Sequence, residues 1–182
     1  MRRRKEEVQT VTLDAPRTRI DSLPSFAAAA EAHLDDVYGY LLYLSRNAAL
    51  AEDLTGETFE KAFRLWRRFD PRRGNAKSWL LSIARTTALD WFRAEERRRR
   101  REERVAAPDL HEDTIGEGLS PELEAAIATL TAGEREVIAL RVLLDLDGDT
   151  AARVLGISPT ACSTRLSRAL KRLEERMTDD SR

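Results

Sequence analysis

"DTAARVLGISPTACSTRLSRAL", residues 149–170, decides how this chain is read. Ala152 stands four residues before Gly156, and Cys162 six residues after it. A small residue lets two helices cross closely, and glycine accepts the left-handed turn between them. Ser158 can cap the second helix, with Pro159 at its first position. The pattern predicts a helix-turn-helix. Leu166, Ala169, Leu170 and Leu173 continue its buried face, and Cys162 fills the core there rather than acting as a redox group. The opposite face presents Thr160, Ser163, Thr164, Ser167, Arg168, Lys171 and Arg172, a polar and basic row suited to a DNA major groove. A plain helical hairpin with a solvated face is the alternative. Turn chemistry, spacing and the basic row together favour DNA.

Upstream of this motif the helical pattern continues. Pro121 suits the first turn of a helix carrying Leu123, Ile127 and Leu130, and Val137, Ile138, Leu140 and Arg141 fall in the next. "VAAPDLHEDTIGEGLSP" (105–121) has Pro, Gly and acids without periodicity and reads as an interdomain linker. Before it, one helix is expected over about Ser25–Asn47, with Phe26, Ala30, Leu34, Val37, Leu41 and Leu44 at helical spacing. A second fits about 48–68, placing Leu50, Leu54, Phe59, Ala62, Phe63 and Trp66 on one face. "RFDPRRGN" breaks the pattern at Pro71 and Gly74. A third helix starts near Asn75, with Leu80, Ile83, Ala84, Ala88, Trp91 and Phe92 along its stripe.

Composition supports an all-α reading: alanine, leucine, arginine and glutamate dominate, and all are good helix formers. The expected organisation is two small helical domains, an N-terminal bundle and a C-terminal four-helix domain with the helix-turn-helix, joined by a flexible linker. The boundaries are a mobile tail over 1–24, a first domain over 25–104, the linker over 105–120, a second domain over 121–178 and a short tail over 179–182. A single cysteine excludes an internal disulfide framework. His33, His111 and Cys162 offer no metal-ligand spacing, so neither a metal nor a cofactor is expected. No nucleophile–base constellation is evident, which argues against an enzyme. No apolar run approaches a membrane span, and the basic start "MRRRKEEVQTVTLDAP" has no apolar segment after it, so a cytoplasmic protein without membrane insertion is expected.

The formal net charge of −1 hides a strong pattern. Residues 25–60 carry one positive and seven negative side chains, and residues 61–105 fifteen positive and six negative. Residues 106–150 then carry two positive and eleven negative, and residues 151–182 seven positive and four negative. Two basic blocks alternating with acidic ones point to two nucleic-acid faces and at least one basic partner. The five arginines from Arg97 to Arg101 read as a fraying basic arm, with Glu95–Arg99 and Glu96–Arg100 pairs prolonging the helix.

Two segments now resemble one family. "AEDLTGETFEKAFRLWRRFDPRRGNAKSWLLSIARTTALDWFR" is similar to the second conserved region of extracytoplasmic-function sigma factors, the compact group of the sigma-70 family. "LTAGEREVIALRVLLDLDGDTAARVLGISPTACSTRLSRALKRL" resembles their fourth region. The resemblance implies a bacterial initiation factor that binds core RNA polymerase, directs it to promoters and helps open the DNA. It implies docking on the polymerase clamp helices and flap, with Asp53, Leu54, Thr55, Glu57 and Phe59 at the clamp. Glu52, Asp53, Glu57 and Glu60 form an acidic surface suited to a basic partner, and Gly56 replaces the family's usual glutamine.

The same resemblance assigns capture of the melted −10 strand to the loop Phe69–Trp79. Arg72, Arg73, Asn75 and Lys77 supply its polar part; Phe69 and Trp79 either wall a pocket or belong to the core, with core favoured for Trp79. Thr86 stands where many relatives have asparagine. Duplex contacts at the upstream edge of the −10 element fall on Asp90, Arg93 and Arg97. The −35 element would meet Pro159, Thr160, Ser163, Thr164, Ser167 and Arg168, with Lys171 and Arg172 continuing the row; Ser163 replaces a common basic residue. Promoter DNA, both duplex and melted single strand, is thus an expected partner, and an anti-sigma factor is a further candidate. The rival reading is a stand-alone helix-turn-helix regulator that binds duplex DNA without polymerase.

Overall fold

The computed structural model describes residues 25–102 and 120–179, and every regular element within them is helical. The expected N-terminal tail, and most of the expected linker and C-terminal tail, lie outside the described residues. Local chemistry sets each boundary. The Ser25 hydroxyl accepts the Ala28 N–H at 3.2 Å and starts α1 (Phe26–Ser45). Arg46 takes a left-handed φ of 56° and bonds back to the Leu42 carbonyl, closing the helix. One residue later the Asn47 carboxamide accepts the Leu50 N–H at 2.7 Å and opens α2 (Ala48–Leu65). The second helix was expected to reach residue 68, but its last three residues, Trp66–Arg68, tighten into a 3-10 turn. After the loop, the Asn75 carboxamide caps α3 (Ala76–Glu102) by accepting the Ser78 N–H at 2.8 Å.

These three helices bury Val37, Tyr40, Leu41, Leu54, Leu80 and Leu81 almost completely, with Ala51, Ala62, Ala84 and Ala88 at the crossings. Alanine at a crossing lets helix axes approach, and each buried leucine contributes about 1.5–3 kcal/mol of transfer free energy. Three members of the predicted stripes lie outside this core: Leu34 is 49%, Phe63 66% and Trp91 36% exposed. Phe63 instead sets its ring edge against Phe26, part of an aromatic group with Phe59, Trp66, Phe69 and Trp79. α3 also runs through the arginine block to Glu102. There Glu95 is held by Arg98, at 2.8 and 3.0 Å, rather than chiefly by Arg99 at 3.9 Å, while Glu96 pairs with Arg100 at 2.8 Å as expected.

The C-terminal bundle has four helices. Ser120 caps α4 (Pro121–Ala128), and Thr131 caps α5 (Ala132–Ile138) in a full capping box with Glu134. A π-helical segment, Ala139–Leu143, prolongs α5, and the Arg141 guanidinium donates to the Leu146 carbonyl beyond it. Asp147 caps α6 (Gly148–Leu155), and α7 spans Pro159–Asp179. Ile127, Leu130, Val137, Leu140, Leu155, Cys162 and Ala169 form the buried centre. Leu170, expected in that centre, is 47% exposed and instead lines an apolar cleft with Gly39, Leu42 and Tyr43 of α1.

The two bundles touch. α6 packs on α3, and α5 meets α1. Arg85 of α3 grips Glu136 of α5 with two hydrogen bonds, at 2.9 and 3.2 Å. Lys77, at the start of α3, donates to the Leu144 carbonyl at 3.2 Å while pairing with Asp36 of α1 at 2.9 Å. The acidic block over 106–150 thus finds part of its basic partner inside the chain, a contact the sequence reading did not anticipate.

Glu134 shows how the second bundle is tied together. Its carboxylate accepts the Thr131 N–H at 2.8 Å and the Thr131 hydroxyl at 2.9 Å, and meets Arg172 of α7 at 2.7 Å. Burial opposes its ionisation, but the Thr131 hydrogen bonds and the arginine charges of Arg172 and Arg168 prevail and hold the carboxyl below its ordinary range. A lowered folded-state value means stabilisation that is complete above the ordinary carboxylate range and lost as pH falls through the lowered one. Glu134→Gln should therefore cost about 1–3 kcal/mol in urea unfolding at neutral pH. The gap between the two proteins should narrow in acid; a gap that stays constant with pH would contradict this role.

Candidate nucleic-acid interface

The turn between α6 and α7 follows the chemistry its sequence predicts. Gly156 adopts φ 66°, and its N–H bonds to the carbonyls of Ala152 and Arg153. The Ile157 N–H reaches the Ala152 carbonyl at 3.0 Å, so two orphan carbonyls of α6 are satisfied at the turn. The Ser158 hydroxyl then accepts the Ala161 N–H at 3.1 Å and starts α7. Ala152 and Cys162 are each 1% exposed, and their small side chains fill the inner angle of the motif. Burial also pushes the Cys162 thiol up, away from the reactive thiolate.

On the outer face of α7, Pro159, Thr160, Ser163, Thr164, Ser167, Arg168 and Lys171 are all exposed. Their spacing brings them onto one continuous strip. Arg172 departs from the prediction: its guanidinium is engaged by Glu134, so it ties α7 to α5 instead of standing free beside Arg168. Lys171 has a loose partner in Glu175 at 3.7 Å.

The second candidate surface is the loop between the 3-10 turn and α3. Phe69 is 7% exposed and stacks on Trp66 at 4.9 Å, with Trp79 at 5.4 Å on another side. It is a floor more than an exposed wall. The Asp70 carboxylate accepts the Arg72 N–H at 3.0 Å, and the Arg73 N–H bonds to the Asp70 carbonyl at 3.0 Å, giving a tight turn that projects both guanidiniums outward. Two expected polar groups are committed elsewhere. Asn75 uses its carboxamide oxygen as the α3 cap, and Lys77 spends its charge on Asp36 and Leu144. A cavity of about 180 Å³ opens beside the loop, lined by Arg68, Phe69, Arg73 and Trp79 and roofed by Arg153 and Val154 of α6. Further along α3, Thr86 is exposed with its hydroxyl turned to the Ile83 carbonyl, and Asp90 pairs loosely with Arg93 at 3.5 Å. Arg97 is exposed on the next turn.

On α2, Glu52, Asp53, Gly56, Glu57 and Glu60 are exposed along one side. Glu57 is neutralised by Lys61 at 2.7 Å and Glu60 by Arg64 at 3.1 Å, which leaves Glu52 and Asp53 as the acids with no ion pair among the described residues. Leu54 and Thr55, expected at a docking surface, are not on the surface. Leu54 is 1% exposed in the core, and the Thr55 hydroxyl donates to the Ala51 carbonyl at 2.7 Å. Phe59 is half-buried against Phe26. Gly56 faces open space, so its missing side chain reflects no packing demand.

Two family models match the chain. The model of sigma-70 region 2 covers residues 29–98, and that of sigma-70 region 4 covers residues 120–173. The extracytoplasmic-function (ECF) RNA polymerase sigma factor SigC of Mycobacterium tuberculosis is 34% identical over 168 residues, 90% of this chain and 88% of the relative. The chain belongs to the ECF sigma factors. It is an alternative sigma factor, one that directs RNA polymerase to promoters. BldN of Streptomyces coelicolor is 31% identical over 172 residues, 91% of this sigma factor but 65% of the longer relative. Among solved structures, the sigma factor RpoE of Bartonella quintana, in complex with the anti-sigma factor NepR, superposes with a TM-score of 0.73 at 25% identity, covering 86% of this chain and 98% of that one.

Residues that local patterning could not reveal are Arg85 and Glu136, 51 positions apart, and Arg153 above the loop. The only signal for them was the opposition of a basic and an acidic block. The buried position of Cys162 predicts that a thiol reagent labels the native protein far more slowly than the urea-unfolded chain. Equal rates in the two states would contradict the packed motif.

Proposed function

We propose that this sigma factor divides promoter recognition between its two surfaces, along the boundaries 25–104 and 121–178. The observation that carries the reading is the free outer strip of α7. Its side chains project from a helix started by Ser158 and held at a fixed angle by Gly156, the geometry by which a recognition helix enters a major groove. Arg168 sits at the centre of the strip and can donate a planar fork to a guanine edge or to phosphate. Thr160, Ser163, Thr164 and Ser167 contribute short hydroxyls able to bond base edges or backbone. This strip reads the −35 duplex.

The loop over 69–75 takes the melted −10 strand. Arg72 and Arg73 attract phosphate, and the aromatic floor accepts an unstacked base, whose capture offsets part of the cost of melting. Asp90, Arg93 and Arg97 lie along α3 where the adjoining duplex would pass, and the arginine run beyond them adds sequence-independent attraction. Core polymerase docks on the acidic edge of α2, where Asp53 and Glu52 offer unneutralised charge to a basic surface, and on the C-terminal bundle through the flap. In this reading the chain supplies positioning rather than chemistry, acts in the cytoplasm and is open to control by an anti-sigma factor.

Arg168→Ala should reduce transcription from cognate promoters at least tenfold, while core polymerase still co-purifies with the protein. Unchanged promoter activity would refute the −35 assignment. Reversing charge on α2 probes the other partner: Asp53→Arg should weaken the association with core polymerase. Undiminished co-purification would remove α2 from the docking surface.

A further inference from the structure

Where α3 passes the turn between α1 and α2, the first bundle leaves a large aromatic ring partly uncovered. Trp91 continues the buried stripe of α3, yet it is 36% exposed and sets its ring edge-on to Phe92 at 5.4 Å. It lines a groove of about 490 Å³ with Phe92 and Glu96 of α3, Leu50 of α2, and Ser45 and Asn47 at the turn. Helix spacing puts this groove on the opposite side of α3 from Asp90, Arg93 and Arg97. The arginine run is sorted in the same way. Glu95 holds Arg98 at 2.8 Å and lies 3.9 Å from Arg99, and Glu96 holds Arg100 at 2.8 Å, whereas Arg97 stands exposed on the far side. With its cations neutralised and both carboxylates at its rim, the groove has nothing to draw phosphate.

The groove is continuous with the acidic edge of α2. Leu50, Asp53 and Glu57 follow at i, i+3 and i+7, so the α2 wall of the groove runs directly into the charged edge. Glu57 is paired with Lys61, but Asp53, next to Leu50, has no ion pair among the described residues. An apolar, aromatic-lined recess flanked by charge has the composition of an interface centre and its rim. A tryptophan in such a recess carries a large share of binding free energy. We propose that this groove is the apolar anchor site of the polymerase-docking surface, taking one large apolar side chain from the basic element of core polymerase that meets Asp53. The inference rests on the assignment of the α2 edge to core polymerase. Occupation covers Trp91 and Leu50, so polymerase contact reaches from α2 across the α1–α2 turn onto α3. That helix thereby divides its faces between two partners, with duplex DNA along Arg93 and Arg97 and polymerase on the side of Trp91.

The test uses the full chain, labelled with fluorescein at its N-terminus and titrated with purified core polymerase while anisotropy is followed. Trp91→Ala should lower the affinity at least fivefold, and a smaller loss overturns the anchor. A second variant, Trp91→p-benzoylphenylalanine, keeps the aromatic bulk and reports the neighbour directly. Irradiated in a complex with core polymerase and promoter DNA, it should cross-link to a polymerase subunit. Cross-linking to DNA or to a second copy of the chain overturns the proposal, and so does the absence of any cross-link. If Trp91→Ala fails to fold by circular dichroism, the cross-link alone decides. Asp53→Arg, measured in the same titration, separates the two levels of the reading. Weaker association for Asp53→Arg with none for Trp91→Ala removes the anchor alone. Undiminished association for both removes the docking assignment of α2 as well.

Discussion

Arg85 and Glu136 are where the two halves of this protein become one structure. The arginine rises from the edge of a helix whose other face, Leu80, Leu81, Ala84 and Ala88, is the centre of the first bundle. The glutamate comes from α5, whose Val137 and Ile138 are buried in the second. Withdrawing two charges from water is costly, and their attraction often does little more than offset that cost. What the pair contributes is selectivity of arrangement. Two apolar helix faces can slide over each other, whereas a two-pronged hydrogen bond has one register. How the surfaces of the two bundles are placed relative to each other depends on that register.

α7 shows a related economy. Arg168 and Arg172 lie one turn apart on the same basic face, yet they differ in role because Glu134 claims only Arg172 by direct contact. Glu134 is itself fixed by the capping box at the start of α5. Local helix-start chemistry thus positions a carboxylate, the carboxylate anchors one arginine, and the anchored arginine orients the helix that presents the other. On α2 the same division occurs: Lys61 and Arg64 quench two acids, leaving Glu52 and Asp53 to define the charged edge.

Local grammar in the sequence carried much of the fold. Helix starts at Ser25, Ser120 and Ser158 and the turn at Gly156 depend on neighbours within four residues, so they could be read directly. The burial of Cys162 followed from its distance to Gly156. The structure adds most where a side chain's partner lies outside the local pattern. The family resemblance placed Leu54 and Thr55 in a docking segment, but that segment wraps around the helix and turns these two inward, as the apolar periodicity of Leu54 already implied. Lys77 and Arg172 looked like DNA contacts because their partners, Leu144 and Glu134, are 67 and 38 residues away. Asn75 looked like a base reader because its cap role needs only one unremarkable serine three residues on. Leu170 followed the buried stripe of α7, yet that stripe is only partly covered where α1 leaves a cleft. Net charge by block was the one sequence feature that bore on the union of the bundles, although it pointed to an external partner.

The central claim is that one chain gives core polymerase two separate points of promoter contact. The most direct measurement is sequencing of transcript 5′ ends made in vitro from fragmented genomic DNA by core polymerase, with and without this protein. The account predicts start sites that appear only when the protein is added and share two short upstream sequence blocks at constant spacing, one near −10 and one near −35. Start sites identical to those of core polymerase alone, or new ones sharing no upstream pattern, would contradict it.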